Sequence, residues 1–198
     1  MPLDYTADPV AQAGLAARLE AAGLDAVWVA EAWGFDAPSL MGYLAARTDR
    51  LLIGAGILPV FTRTPALIAQ TAAGVDALSG GRCLLGLGTS GPQVVEGFHG
   101  VPFERPLARL RDTIAVCRTA WSREPVRHEG AVVRVPLGPG EGTGLGKPLR
   151  MLTRPPRARI PVYVAGLRVA AAVGLGQRPG RLLPRAHQRD PALRRLRG

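Results

Sequence analysis

The 198-residue sequence predicts an α/β protein built on a parallel sheet. Two observations carry this reading. Apolar residues recur at helical spacing in successive segments, and between them run short, uninterrupted apolar stretches of the kind that form strands covered on both faces. Helix and strand alternate strictly, which implies parallel strands joined by helical crossovers. The alternation by itself fits either a doubly wound open sheet or a barrel.

The elements follow in order. Asp8 and Pro9 supply an N-cap and a first helical residue; Ala11, Leu15, Leu19 and Ala22 then form a stripe that Gly23 ends. Ala26-Val27-Trp28-Val29-Ala30 reads as a buried strand with Glu31 at its C-terminal tip. Residues 39–48 read as a second helix and 51–58 as a second strand, in which Gly54 and Gly56 permit close approach of other backbone. Thr64-Pro65 starts a third helix that buries Leu67, Ile68, Ala72, Val75 and Leu78 and stops at Ser79-Gly80-Gly81. The strand Cys83-Leu84-Leu85-Gly86-Leu87 follows. Residues 89–106 form a loop rich in Gly and Pro with room for one short helical turn, before Leu107, Leu110, Ile114, Cys117 and Trp121 mark a fourth helix. A short β-like stretch at 131–135, a Gly/Pro-rich excursion and a strand at 160–165 complete the series.

A hydrophobic fraction of 47% with 20% charged residues describes a globular chain. Met1 to Asp8 show no basic start followed by an apolar run, so neither a signal peptide nor a membrane anchor is expected and the location expected is cytoplasmic. Cys83 lies in an apolar run and Cys117 on an apolar helix face, which predicts two buried thiols rather than a disulfide or a metal pair. No metal site is expected. Of the formal net charge of +10, residues 168–198 hold eight arginines against Asp190 alone. That Arg-rich stretch has no interleaved aromatics and no docking element, so no nucleic-acid partner is expected.

Gly86-Leu87-Gly88-Thr89-Ser90-Gly91 matches the dinucleotide fingerprint G-x-G-x-x-G. The match does not extend to its context: Pro92, Gly97, Gly100, Pro102 and Pro106 replace the long helix a Rossmann unit needs, and the acidic residue at a second strand tip is missing. A turn with exposed backbone N–H groups and the Thr89 and Ser90 hydroxyls can still hold a phosphate.

More specific are Val29-Ala30-Glu31-Ala32, Gly56-Ile57 ahead of Thr62-Arg63-Thr64-Pro65, the run from Asp76 to Arg82, Ser90-Gly91-Pro92-Gln93-Val94-Val95-Glu96-Gly97, and Gly144-Leu145-Gly146-Lys147-Pro148-Leu149. In this order and spacing they resemble the luciferase-like monooxygenase family, in its branch of oxidoreductases that use the deazaflavin coenzyme F420. The resemblance covers residues 3–167 and implies a (β/α)8 TIM barrel, with its site at the C-terminal ends of the strands.

It further implies a non-prolyl cis peptide at Gly56-Ile57 that bulges against the deazaflavin ring, Glu31 beside that ring, Thr89, Ser90 and Gly91 near its phosphate or ribityl chain, and Ala165-Gly166 at the fifth strand tip. Several relatives carry a histidine directly after the acid at position 31; here that residue is Ala32, so the catalytic acid is unassigned, and His99 reads as a loop residue. Trp33 and Phe61 are the expected walls of an apolar substrate pocket, and Trp28 reads as core. Relatives begin with an apolar strand where this chain has only Met1-Pro2-Leu3, and their last three βα units have no counterpart here. The expected organisation is therefore an incomplete barrel over 1–167, its first strand reduced, followed by a non-family tail at 168–198 that is disordered or translated out of frame.

The function the resemblance implies is hydride transfer between coenzyme F420 and a small organic molecule, with room for a homodimer and no nucleic-acid or membrane partner. The alternatives are an inactive truncated remnant, or a monooxygenase of the same family that uses FMN.

Overall fold

The computed structural model describes residues 1–4 and 6–165. Gly166 and the tail expected at 168–198 lie outside the described residues. Helices α1 (Pro9–Ala21), α2 (Ala37–Arg47), α3 (Pro65–Leu78), α4 (Pro92–Gly97) and α5 (Pro106–Trp121) alternate with strands β1 (Ala26–Val29), β2 (Leu52–Ala55), β3 (Leu58–Pro59), β4 (Cys83–Gly88) and β7 (Val162–Val164). Two further strands, β5 (His128–Glu129) and β6 (Arg134–Val135), form a separate antiparallel hairpin.

Every pairing in the main sheet is parallel: β1 with β2, β2 and β3 with β4, and β4 with β7. Ahead of α1, residues 1–3 run beside β1. Trp28 N donates to Met1 O at 2.8 Å, Leu3 N donates to Trp28 O at 2.9 Å, and Pro2 pairs with Trp28 in parallel sense.

The registers sort the side chains onto two faces. Val27, Val29, Ile53, Ala55, Cys83, Leu85, Leu87, Val162 and Val164 are buried beneath the helices. The other face carries Trp28 opposite Gly54, Gly54 opposite Leu84, and Gly86 opposite Tyr163. Coverage of this inner face is incomplete among the described residues: Trp28 and Tyr163 are half-buried, and Leu52 is exposed.

Gly54 and Gly56 do admit a close neighbour, but it is the Trp28 side chain rather than the backbone expected. A Cβ on Gly54 would lie 2.3 Å from Trp28 Cε3, and one on Gly56 would lie 3.2 Å from Trp28 Cβ. The indole meets Tyr163 edge-on, with centroids 5.1 Å apart.

Helix starts follow from local chemistry. Asp8, Asp36 and Thr64 accept backbone N–H groups of the first turns of α1, α2 and α3, each with a proline at the first or second helical position. The Asp36 cap starts α2 at Ala37, ahead of the expected 39. The buried face of α1 is Ala13, Ala16 and Glu20 rather than the stripe through Ala11 and Leu15. Its rotation brings the Glu20 carboxylate to the N–H groups of Asp49, Arg50 and Leu51, at 3.1, 2.6 and 2.5 Å, just ahead of β2. On α3, Ile68, Ala69, Ala72, Ala73 and Val75 are buried, whereas Leu67 and Leu78 are exposed. The alanines let α5 pack closely, and Trp121 Nε1 donates to Ala69 O at 3.0 Å.

At the N-terminal end of the sheet Asp76 is fully buried. Arg157 donates to both of its carboxylate oxygens, Nε to Oδ2 at 3.0 Å, and to Cys83 O at 2.9 Å. Arg82 donates to the carbonyls of Ala45, Thr48, Leu51 and Ser79. The Asp76 to Arg82 segment thus ties α2, α3, β2 and β4 together at the end opposite the strand tips. Asp112 on α5 holds the hairpin by accepting Val132 N at 2.8 Å and Val133 N at 3.0 Å, with His128 Nε2 at 3.3 Å. Cys83 and Cys117 are free and buried, and burial pushes both thiols up to about 12. No helix among the described residues is long and apolar enough to cross a membrane.

Gly54→Ala is expected to lower stability by roughly 1–3 kcal/mol, because the new methyl group overlaps an indole already wedged against Tyr163. An unchanged Tm in thermal unfolding would contradict that packing. Burial alone would raise the Glu20 pKa, but the backbone donors and Arg50 outweigh it and hold it below the ordinary 4.5. A depressed pKa contributes stability that is present above 4.5 and lost as pH falls through the lower folded value. Glu20→Gln should therefore lower Tm at neutral pH and flatten the fall in Tm below pH 4.5, measured by circular dichroism across a pH series.

Candidate functional site at the strand tips

The C-terminal tips of β1, β3, β4 and β7 carry most of the residues singled out from sequence. What places them is a bulge. Between the pairs Gly54–Leu84 and Leu58–Leu87 the chain advances four residues on one strand against three on the other. One extra residue is accommodated around Gly56-Ile57, the peptide that is cis as expected. Both Gly56 and Ile57 consequently face the inner side: Gly56 lies under the Trp28 Cβ, and Ile57 lies over Gly88. A Cβ on Gly88 would stand 2.6 Å from Ile57 Cδ1 and 3.4 Å from the Ala165 Cβ. Ile57, Gly88 and Ala165 thus form one apolar step at the rim of the inner face, with Ala165 exposed at its outer edge.

Beyond Gly88 the chain turns sharply. Ser90 is in the left-handed region at φ 56°, and Gly91 caps the six-residue α4 with no side chain bonded to its first turn. Thr89 Oγ1 donates to Ser90 O at 3.2 Å. All three residues are half-buried. The turn therefore has the polar groups expected of an anion contact, next to the apolar step.

Glu31 is placed differently from a free strand-tip charge. It is 6% exposed, and three donors converge on it. Arg63 forks onto it, Nη1 to Oε1 at 2.5 Å and Nη2 to Oε2 at 2.7 Å, while Ala37 N donates to Oε2 at 2.8 Å at the start of α2. Ala32, the next residue, is held at φ 47°, where a side chain is disfavoured. Sequence reasoning quoted Arg63 within a motif without giving it a role. The two residues lie 32 apart in the chain, and only the fold brings them together.

The two expected pocket walls differ in burial. Trp33 is 61% exposed in the loop after β1. Phe61 is 6% exposed, stacked on Phe103 at 5.0 Å between centroids, with the Arg109 guanidinium 4.9 Å from its ring. Trp28, read as core, instead forms the floor of the inner face with Tyr163, a residue the sequence reading did not single out. His99 stacks edge-on against Phe98, and its Nε2 is buried without a hydrogen-bond partner. A groove of about 460 Å³ lies between the N-terminal ends of α1 and α2, walled by Val10, Phe35, Leu40 and Tyr43, and reaches Val29 and Ala30 at the tip of β1. Among the described residues no cluster of His, Cys, Asp and Glu could hold a metal ion.

The fold defines a parallel α/β protein with an apolar step beside a polar turn at its strand tips, and comparison with known proteins makes its family specific. The family model for luciferase-like monooxygenases matches residues 2–189, and the chain belongs to that family. A Mycobacterium tuberculosis protein assigned as a coenzyme F420-dependent oxidoreductase is 48% identical over 79% of this chain and 45% of its own length. The F420-dependent glucose-6-phosphate dehydrogenase of Amycolatopsis mediterranei is 37% identical over 58% of this chain and 38% of its own. The chain thus spans less than half the length of these relatives. In fold it is similar to the coenzyme F420-dependent tetrahydromethanopterin reductase of Methanopyrus kandleri, with a TM-score of 0.73 at 23% identity over 87% of this chain and 52% of that one.

Gly88→Ala should reshape the step without unfolding the sheet, since the atom in the way is the terminal methyl of Ile57. The Ile57 δ1 methyl resonance is expected to shift in a carbon–proton correlation spectrum while that of Ile114, buried on α5, stays in place. Equal shifts at both would mean a global rearrangement.

Proposed function

We propose that the sheet is an arc of a (β/α)8 barrel of the luciferase-like type, and that its rim binds coenzyme F420 for hydride exchange with a small organic molecule. The observation that carries this reading is the step of Ile57 on Gly88 beside the Thr89-Ser90-Gly91 turn, an apolar shelf adjoining an anion contact. When bound, coenzyme F420 supplies a deazaflavin ring that accepts or donates a hydride.

The residues present fit such a group. Gly56 and Ile57 offer carbon surface to a flat ring at the inner face, backed by Trp28 and Tyr163. The Thr89 and Ser90 hydroxyls and the backbone of Ser90 and Gly91 would hold its phosphate or ribityl chain. Ala165, at the fifth expected strand tip, closes the shelf; Gly166 stands next to it in sequence. The names of the relatives support F420 over FMN. The substrate is a small molecule whose identity stays open, and the residue after Glu31, being Ala32, offers no proton.

Titrating the purified chain into coenzyme F420, and separately into FMN, and following cofactor fluorescence tests the reading. A saturable change with F420, tighter than with FMN, is expected. Tighter binding of FMN would favour the flavin reading, and no saturable change with either cofactor would favour an inactive remnant.

A further inference from the structure

We propose that Glu31 is a positioning residue, which acts through Arg63 to hold the loop at 60–64 over the strand tips and takes no part in proton transfer. The inference deepens the F420 reading of the rim and rests on it where cofactor binding is concerned.

Three strands of observation lead there. The first is occupancy: Arg63 and the Ala37 N–H approach both oxygens of Glu31 at 2.5–2.8 Å. A carboxylate so engaged has to surrender a buried fork before it can serve a substrate. The second is connectivity. The three groups belong to the tip of β1, the loop between β3 and α3, and the first turn of α2. These segments meet at the C-terminal end of the sheet, and the Glu31–Arg63 pair is the only ion pair joining them among the described residues.

The third is what the clamped loop carries. Val60 N donates to Gly88 O at 3.0 Å, which ties the loop to the end of β4 one residue before the Thr89-Ser90-Gly91 turn. Phe61, next along, is held by Phe103 and Arg109, which both pack on its ring. Arg63 is therefore three residues from a backbone bond that sets the position of Gly88, the floor beneath Ile57. The geometry also accounts for the left-handed Ala32. The chain has to turn back at once after β1 for Glu31 to point toward Arg63 while Gly34 N donates to Glu31 O at 2.9 Å.

An arginine fork is not replaced by a lysine, which presents a point charge rather than two parallel donors. Glu31→Gln and Arg63→Lys should therefore do the same thing. Each is expected to weaken coenzyme F420 binding by about tenfold, equivalent to about 1.4 kcal/mol. The double variant should be no weaker than either single one, because both remove the same interaction. Amide hydrogen exchange, measured with and without F420, should speed up at residues 60–64 and 32–37 in all three variants while β4 stays protected. The pH dependence of F420 affinity should match that of the unmodified chain.

The proposal is overturned if Glu31→Gln changes that pH dependence and Arg63→Lys does not, if the two losses add, or if exchange in the two loops is unchanged. Should the unmodified chain fail to bind F420, the functional reading falls, and the exchange measurements without cofactor still decide whether the clamp orders the loops.

Discussion

Trp28 lies flat across the strand beside it, and the space it fills exists only because Gly54 and Gly56 carry no side chain. This exchange of bulk for absence recurs along the inner face, where Ile57 occupies the place a side chain on Gly88 would need. The sheet is thus a matched surface rather than a row of interchangeable apolar residues. Its outer face obeys a looser rule: Val, Ile, Leu and Ala pack against the helices, and hydrophobic volume at the right register is enough.

The two ends of the sheet divide the work in the way parallel α/β architecture leads one to expect. At the N-terminal end Asp76, Arg82, Arg157 and Glu20 spend their hydrogen bonds on backbone groups and on each other, joining helices to strands. At the C-terminal end the polar groups of Thr89, Ser90 and Gly91 stay close to the surface, and the apolar step of Ile57 opens beside them. The bulge at Gly56-Ile57 is where order passes into site: one inserted residue turns two consecutive side-chain positions to the same face, which a regular strand forbids.

Glu31 and Arg63 form an ion pair at the C-terminal end of the sheet. A strand-tip acid in a cofactor-binding family invites a chemical role. Here that acid is buried and forked by Arg63, which joins the tip of β1 to the loop after β3. The pair lies 32 residues apart in sequence, and no local pattern links its members.

The alternation of helices and strands, the caps at Asp8 and Thr64, the buried thiols and the bulging pair Gly56-Ile57 were all legible in the amino-acid sequence. Each depends on local chemistry or on a short motif whose meaning travels with it. The start of α2 at Asp36, Ala37 and Pro38 carried the same signal as α1 and could have been read. The rotation of α1 could not, because Glu20 faces inward only to meet backbone donors around 30 residues ahead. Nor could the floor of Trp28 and Tyr163, the burial of Phe61 beside the exposure of Trp33, or the partner of Glu31. These depend on which strands become neighbours and in which register, and contacts made across a sheet leave no period in the sequence.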